Sequence, residues 1–521
     1  MESPSSSFLS MDDPVVETAR RVFGIGYPFP WQRLIIAAVL DAALPSLSGD
    51  ENPEPLREIA VLPTGAGKSL CWMLPAVMID GLSIAVFPLL SLMADQERRL
   101  NECSVSSVCL RGGQSRNERN KIWHQLEGGE VSIVLANPEV LQSPEVSGRL
   151  GGLKPTFLVV DETHTVSQWG DSFRPACAGM GRLVLEWNPQ AVLALTATAG
   201  PYIRSRITTL LFNEDSPREA LADPDRPTIN YGVLPSLSKH HSLEFLIRRE
   251  RRPAIVFGST RSSVRQAAQL LRFRLHDDHI HYYHAGMSPE EKRRIEKWFL
   301  TSADGVLCAT CAYGMGVDKS DVRTVIHTAP PSSTEAYLQE SGRASRDGKG
   351  AHAWLIWTPE DMESGNKVKA DYQAARQAGM FVYATATERC RREMLLKSLG
   401  IDAQDCSGCD VCGGNPWKRP PEEYPILKFF KWNKSRFKQG QAARILIGRR
   451  SMEIRQHGLD SVKGFGLLTG WELEDAEQAI SNLVCSGKLR TKKHGLRHGF
   501  LSVSSRENSR GKRARRGVGE R

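Results

Sequence analysis

Ile59-Ala-Val-Leu-Pro-Thr-Gly-Ala-Gly-Lys-Ser-Leu-Cys-Trp-Met-Leu74 is the stretch on which the fold class turns. Ile59 to Leu62 is an apolar run of buried-strand length, Leu70 to Leu74 opens a helical segment, and the turn between them ends on Lys68 and Ser69. Gly65 and Gly67, with Thr64 in the same loop, let backbone N–H groups close on phosphates, and the helix N-terminus that follows favours negative charge. Lys68 would reach the β- and γ-phosphates of a nucleotide, and Ser69 would place its hydroxyl on Mg²⁺. Leu62 stands where the full G-x-x-x-x-G-K-[ST] pattern has its first Gly, so this motif alone leaves a chance Gly-rich turn open.

Outward from this loop the same rhythm repeats. Short apolar runs at Ile84-Ala-Val-Phe, Val131-Ser-Ile-Val-Leu, Phe157-Leu-Val-Val and Val192-Leu-Ala-Leu read as buried parallel strands separated by helical segments. The rhythm restarts after Ser205 with Ala254-Ile-Val-Phe, His281-Tyr-Tyr, Val306-Leu-Cys-Ala, Val325-Ile-His and Ala353-Trp-Leu-Ile, which predicts a second doubly wound α/β domain. Asp161 and Glu162 end the run Phe157-Leu-Val-Val, where an open α/β sheet forms its ligand crevice. There Asp161 can hold Mg²⁺, and Glu162 can orient and deprotonate a water attacking a γ-phosphate; an isolated acidic pair would otherwise read as a polar strand end.

The 521 residues, 40% hydrophobic and 24% charged, suit several globular domains, and the chain has no apolar run long enough for a membrane span. Met1 to Asp13 lacks the pattern of a secretory leader, so an intracellular location is expected. Of the net +9, residues 413–521 carry 24 Lys and Arg against 10 Asp and Glu, or +14, leaving −5 for residues 1–412. That asymmetry suits a polyanion partner at the C-terminus or a solvated tail.

The 11 cysteines are too scattered for a disulfide framework, apart from one cluster. Cys390, Cys406, Cys409 and Cys412 have the spacing to place four thiolates around one structural Zn²⁺; a redox pair is the other reading. Residues 437–504 combine helical segments at Gln441-Ala-Ala-Arg-Ile-Leu-Ile and Glu472 to Ser486 with a two-stranded basic ribbon, the pattern of a winged helix. Lys492, Lys493 and Arg497 on its turn would meet phosphates or dock a protein.

Asp161-Glu-Thr-His-Thr-Val-Ser-Gln-Trp-Gly-Asp-Ser-Phe-Arg-Pro175 resembles the DEAH box and aromatic-rich loop of RecQ-family DNA helicases. Val86-Phe-Pro-Leu-Leu-Ser-Leu-Met-Ala-Asp-Gln96 resembles the family's motif Ia, Leu195-Thr-Ala-Thr198 its motif III, Ala312-Tyr-Gly-Met-Gly-Val-Asp-Lys319 motif V and Gln339-Glu-Ser-Gly-Arg-Ala-Ser-Arg-Asp-Gly348 motif VI. The blocks fall in the family's order over residues 23–412. The resemblance implies two tandem RecA-like parallel-sheet domains, then a helical zinc module with Glu388-Arg-Cys-Arg-Arg392 supplying the first ligand; the likeness to the family's own winged domain is slight.

It further implies ATP as fuel with Mg²⁺ and Zn²⁺ as metals, and DNA, single-stranded and tailed duplex, as partner. Gln339, Arg343 and Arg346 fall in its arginine-finger block, with Arg346 the finger; Gln168, Trp169, Phe173, Arg174, Ser91 and Lys319 fall among its DNA contacts. Gln32 in Phe23-Gly-Ile-Gly-Tyr-Pro-Phe-Pro-Trp-Gln32 matches the adenine-reading Gln, although Ile25 and Phe29 stand where the family has an aromatic and an Arg. The expected divisions are a tail to 13, sheet domains at 14–208 and 209–360, the zinc module at 361–415, the winged segment at 416–505 with a Pro-rich linker at 416–425, and a basic tail from 506. The expected activity is 3′ to 5′ DNA unwinding in repair, recombination or defence, in a prokaryotic cytoplasm or nucleoid, or in the nucleus if the source is a eukaryote, where Lys512-Arg-Ala-Arg-Arg516 would be an import signal instead of a DNA arm. The alternatives are a translocase subunit that needs protein partners, and a non-enzymatic zinc-containing DNA-binding regulator.

Overall fold

The structure, a computed structural model, describes residues 13–44, 54–63, 65–164, 176, 179–311, 313, 319–365, 372–402, 405–492 and 498–504. The chain divides into two compact units, Met1–Asp225 and Arg226–Arg521.

The first unit is built on strands β1 (Leu56–Val61), β2 (Ser83–Val86), β3 (Val108–Leu110), β4 (Ile133–Ala136), β5 (Phe157–Val160), β6 (Ala191–Thr196) and β7 (Arg218–Leu221). They form one parallel sheet in the order β3-β4-β2-β5-β6-β1-β7. β2, β4, β5 and β6 are buried throughout, which is why they read as unbroken apolar runs. β7 is different. It is a largely exposed edge strand pairing with β1 at Glu58↔Arg218, and it lies past residue 208, so residues beyond the expected boundary complete the first sheet. Helices cover both faces, and Ile59, Val86, Val134, Leu158, Val192 and Ile203 belong to one continuous core.

In the second unit β8 (Ile229–Pro235), β9 (Ala254–Phe257), β10 (Ile280–Tyr283), β11 (Val306–Ala309), β12 (Thr324–His327) and β13 (Ala351–Trp357) form a parallel sheet in the order β10-β11-β9-β12-β13-β8. β8 escapes a search for apolar runs because Asn230 and Gly232 interrupt it. Gly232 is required by packing: a Cβ there would stand 2.5 Å from the Trp354 ring of β13.

One face of this sheet shares its core with the Cys-bearing segment: Tyr231, Tyr337, Met380, Tyr383, Leu395 and Cys409 pack together. The Cys-bearing loop also closes the edge that β8 would leave open. Tyr231 N donates to Gly408 O (3.4 Å), and Asp410 N donates to Tyr231 O (2.9 Å).

The last segment packs the helices Glu423–Trp432, Gln439–Ile447 and Leu473–Cys485 against a ribbon of β14 (Leu489–Thr491) and β15 (Leu501–Val503). Phe429, Phe430, Ile445, Leu446, Ile480, Leu483, Leu489 and Leu501 form its core. Residues 416–425 are no free tether. Glu422 is buried and accepts from Leu237 N at 2.6 Å, because that N–H, sealed from water, needs an acceptor. Asp475 and Asn482 do similar service: Ser238 Oγ donates to Asp475 Oδ1 (2.8 Å), Arg274 pairs with Asp475 Oδ2 (2.7 Å), and Asn482 Nδ2 donates to Leu237 O (3.0 Å).

Candidate active site

β1, β6 and β5 are neighbours in a parallel sheet, so their carboxyl ends emerge side by side. The phosphate loop leaves β1, and Asp161 and Glu162 leave β5. Gly65 and Gly67 have φ of +86° and +72°, and Gly67 caps the helix Lys68–Met78. Lys68 Nζ donates to Glu162 Oε1 at 3.3 Å, so two residues 94 apart in sequence meet. Thr64, Gln168, Trp169, Phe173 and Arg174 lie outside the described residues, as do most of the segment 312–318 and both Lys493 and Arg497.

The two acids are pushed in opposite directions. Burial, then the charge of Glu162, raises the Asp161 carboxyl above its usual range. Burial also opposes the ionisation of Glu162, but Lys68 and the hydrogen bond from His164 outweigh it and hold that carboxyl below its usual range. His164 Nδ1 lies 3.3 Å from Glu162 Oε2 and 3.1 Å from Thr196 Oγ1, while Thr163 Oγ1 donates to Leu195 O at 3.0 Å. The acid box is thereby tied to the Leu195–Thr198 segment at the end of β6. This tie was invisible in the sequence, where Thr163 and His164 merely flank the acids.

Gln32, 4% exposed, sits under the loop. Its Nε2 donates to Ala66 O (3.2 Å) and Gly67 O (3.1 Å), and its Oε1 accepts from Phe29 N (2.8 Å). Both amide hydrogens are therefore engaged by the loop, and the residue expected to read adenine braces the phosphate cradle. Tyr27 and Phe29 are exposed nearby in sequence, Phe29 stacking on Trp31. Ser91 is exposed in the first turn of the helix Leu90–Glu102, after β2.

Lys319, expected among the DNA contacts, is buried. Its side chain is only 4% exposed, paired with Asp321 at 2.8 Å, and its ammonium donates to Leu300 O (3.3 Å) and Ser302 O (2.7 Å). These carbonyls close the helix Pro289–Thr301, so Lys319 satisfies a helix end.

In the second unit Gln339 lies in the last turn of the helix Thr334–Ser341, and Arg343 and Arg346 lie on the turn after it, Arg343 buried and Arg346 half-buried. The neighbouring acids are engaged elsewhere: Glu340 Oε2 lies 2.8 Å from His327 Nε2, and Asp347 pairs with Arg323.

The Sγ atoms of Cys390, Cys406, Cys409 and Cys412 all lie within 4.8 Å of one another. Cys390 caps the helix Arg391–Ser398 and accepts from Glu393 N at 3.5 Å; Cys409 accepts from Cys412 N at 3.3 Å. Burial disfavours the Cys409 thiolate, but backbone N–H groups of Cys412 and Arg391 outweigh it and lower that thiol's pKa. Four converging sulfurs with N–H donors suit a tetrahedral thiolate-bound metal. Among the described residues, no helix is long and apolar enough to cross a membrane.

A lysine-bearing phosphate loop and an acid box on a parallel sheet, followed by a second parallel sheet with an arginine-bearing turn, define the class of DEAD/DEAH-box helicase folds. Residues 31–205 match the DEAD/DEAH box helicase family, 238–348 the helicase conserved C-terminal domain and 425–514 the RQC domain. The RQC match strengthens the slight C-terminal likeness. The ATP-dependent DNA helicase RecQ of Haemophilus influenzae is 30% identical over 426 residues, covering 78% of this chain and 68% of that protein. That of Pasteurella multocida is 28% identical over 512 residues, covering 93% of this chain and 78% of that protein. The DUF1998 helicase MrfA bound to DNA and AMPPNP shares the fold at a TM-score of 0.52 and 21% identity, over 74% of this chain and 56% of that one. The chain belongs to the RecQ family of ATP-dependent DNA helicases.

Proposed function

We propose that the chain hydrolyses ATP to move 3′ to 5′ along single-stranded DNA and separate duplex. The observation that carries this is the Lys68–Glu162 contact at the carboxyl ends of neighbouring strands, with Glu162 held ionised beside a buried Asp161. In this reading Lys68 binds the β- and γ-phosphates, and Glu162 orients the attacking water and takes its proton. Ser69 and Asp161 would hold Mg²⁺, whose charge when bound would offset that of the phosphates. Arg346 supplies positive charge to the transferring phosphoryl group, with Arg343 and Gln339 in the same block. The four cysteines would hold Zn²⁺ through their thiolates in a structural role. Aromatic stacking by Trp169 and Phe173 on unpaired bases would report DNA to the ATP site.

A DNA-associated location, in the nucleoid of a prokaryote, goes with this activity. The test is strand separation by the purified full chain on duplexes tailed at 3′ or at 5′. Separation of the 3′-tailed substrate alone supports the reading. Equal action on the 5′-tailed one overturns the direction, and separation of neither favours a translocase that depends on protein partners.

A further inference from the structure

Arg226 precedes β8, belongs to none of the motifs above, and gives no signal in the sequence. Its guanidinium nevertheless faces three backbone carbonyls of one turn. NH1 donates to Gly342 O (3.3 Å), and NH2 donates to Ala344 O (3.2 Å) and Ser345 O (3.1 Å). This is the turn that carries Arg343 and Arg346.

The turn needs such support. Ser345 sits at φ +59°, a left-handed conformation that is unfavourable for an L-residue. Its hydroxyl lies 2.6 Å from both Thr228 Oγ1 and Lys349 O, so the segment just after Arg226 touches the turn a second time.

The brace is itself anchored. Arg226 O accepts from Ile229 N (2.9 Å) and from Arg392 NH1 (3.1 Å). Arg392 is 1% exposed, its NH2 donates to Ile229 O at 2.6 Å, and its guanidinium stands 5.3 Å from the centre of the Tyr231 ring. It lies two residues after Cys390, in the first turn of the helix that Cys390 caps. Beside it Arg391 Nε donates to Asp410 Oδ1 (2.9 Å), and Asp410 Oδ2 accepts from Val233 N (3.1 Å). A continuous set of hydrogen bonds thus runs from the Cys-bearing module through the start of β8 to the arginine-bearing turn.

We propose that Arg226 is a positioning residue for ATP hydrolysis: it fixes the backbone of residues 342–345 so that Arg346 is presented in one orientation, and Arg392 ties this brace to the cysteine module. The proposal rests on the reading of Arg346 as the finger. A planar fork of donors suits several carbonyls at once, which the single ammonium of lysine does not reproduce. Misplacement of a transition-state group by about 1 Å costs on the order of 100-fold in rate, so the effect belongs in kcat, not in ATP affinity.

The test is a cycle of Arg226→Met, Arg346→Ala and the double variant in the full chain, with Arg226→Lys as a second variant should Met prevent folding. Steady-state ATP hydrolysis with saturating oligonucleotide is measured, together with zinc content. Arg226→Met is expected to lower kcat by roughly 10- to 100-fold while leaving KM for ATP within about twofold and zinc unchanged. Arg226→Lys should recover only part of that loss. In the Arg346→Ala background Arg226→Met should lower kcat no further, because there is no finger left to aim. If Arg346→Ala turns over normally, the finger reading itself fails. If Arg346→Ala is impaired while Arg226→Met and Arg226→Lys are not, or if Arg226→Met slows the Arg346→Ala enzyme by its full factor again, Arg226 does not act through Arg346 and the proposal is overturned.

Discussion

Replacing Glu58 with Gln should stabilise the first sheet at alkaline pH and leave it nearly unchanged in acid. Glu58 lies on β1, four residues before Leu62, where the loop begins, and is 1% exposed. Neither of its carboxylate oxygens has a hydrogen-bond partner. Burial pushes its pKa from 4.5 up to about 7, with Arg218 on the adjacent β7 offsetting part of the rise. The folded chain therefore binds the Glu58 proton more tightly than the unfolded chain does. As pH rises above 4.5 the unfolded state ionises first, so folding stability falls until about pH 7 and is level beyond it. At ~1.4 kcal/mol per pH unit, that loss is on the order of 1 kcal/mol at pH 5 and 3 kcal/mol at pH 8. Gln has a similar shape and no charge to bury, so its advantage over Glu should grow by about 2 kcal/mol between those two pH values. Hydrogen exchange of the β1 amides, compared between parent and variant at each pH, reads this directly. An equal difference at both pH values, or weaker protection in the variant at pH 8, would refute the argument that Glu58 is a buried, unpaired acid.

Gly67→Ala should abolish nucleotide binding in a fluorescent-nucleotide titration. Its Cβ would stand 2.4 Å from Gln32 Nε2 at a φ of +72°, breaking the brace beneath the phosphate cradle; Gln32→Ala in the same chain should restore only part of the affinity, since the backbone strain persists. Asp475→Ala should destabilise the packing of the helix Leu473–Cys485 by about 3 kcal/mol, seen as faster limited proteolysis of the 416–425 segment. Asp475 is 1% exposed against Arg274, and its loss also leaves the Ser238 hydroxyl hydrogen without its acceptor.

The reach of the sequence followed burial. β5, β9 and β11 are wholly buried parallel strands, and each stands where an unbroken apolar run announces it. β7 is exposed and β8 is interrupted by Asn230 and Gly232, so neither has a periodic signal. The same divide holds in the site. Lys68 and Glu162, which the fold brings together, each stand in a fixed local pattern, and the four cysteines stand at a spacing that lets their sulfurs converge. Gln32, Lys319 and Arg226 act through carbonyls brought near by folding, and backbone acceptors leave no mark in a string of residue names. A buried lysine such as Lys319 looks like a surface charge until the helix end it closes is seen.

Phosphate release by the purified chain, measured with and without a single-stranded oligonucleotide and repeated for Lys68→Ala and Glu162→Gln, tests the central claim most directly. The oligonucleotide should accelerate ATP hydrolysis severalfold or more, and either substitution should reduce the stimulated rate by at least two orders of magnitude while the fold persists. Hydrolysis indifferent to the oligonucleotide, or undiminished in either variant, would contradict the account.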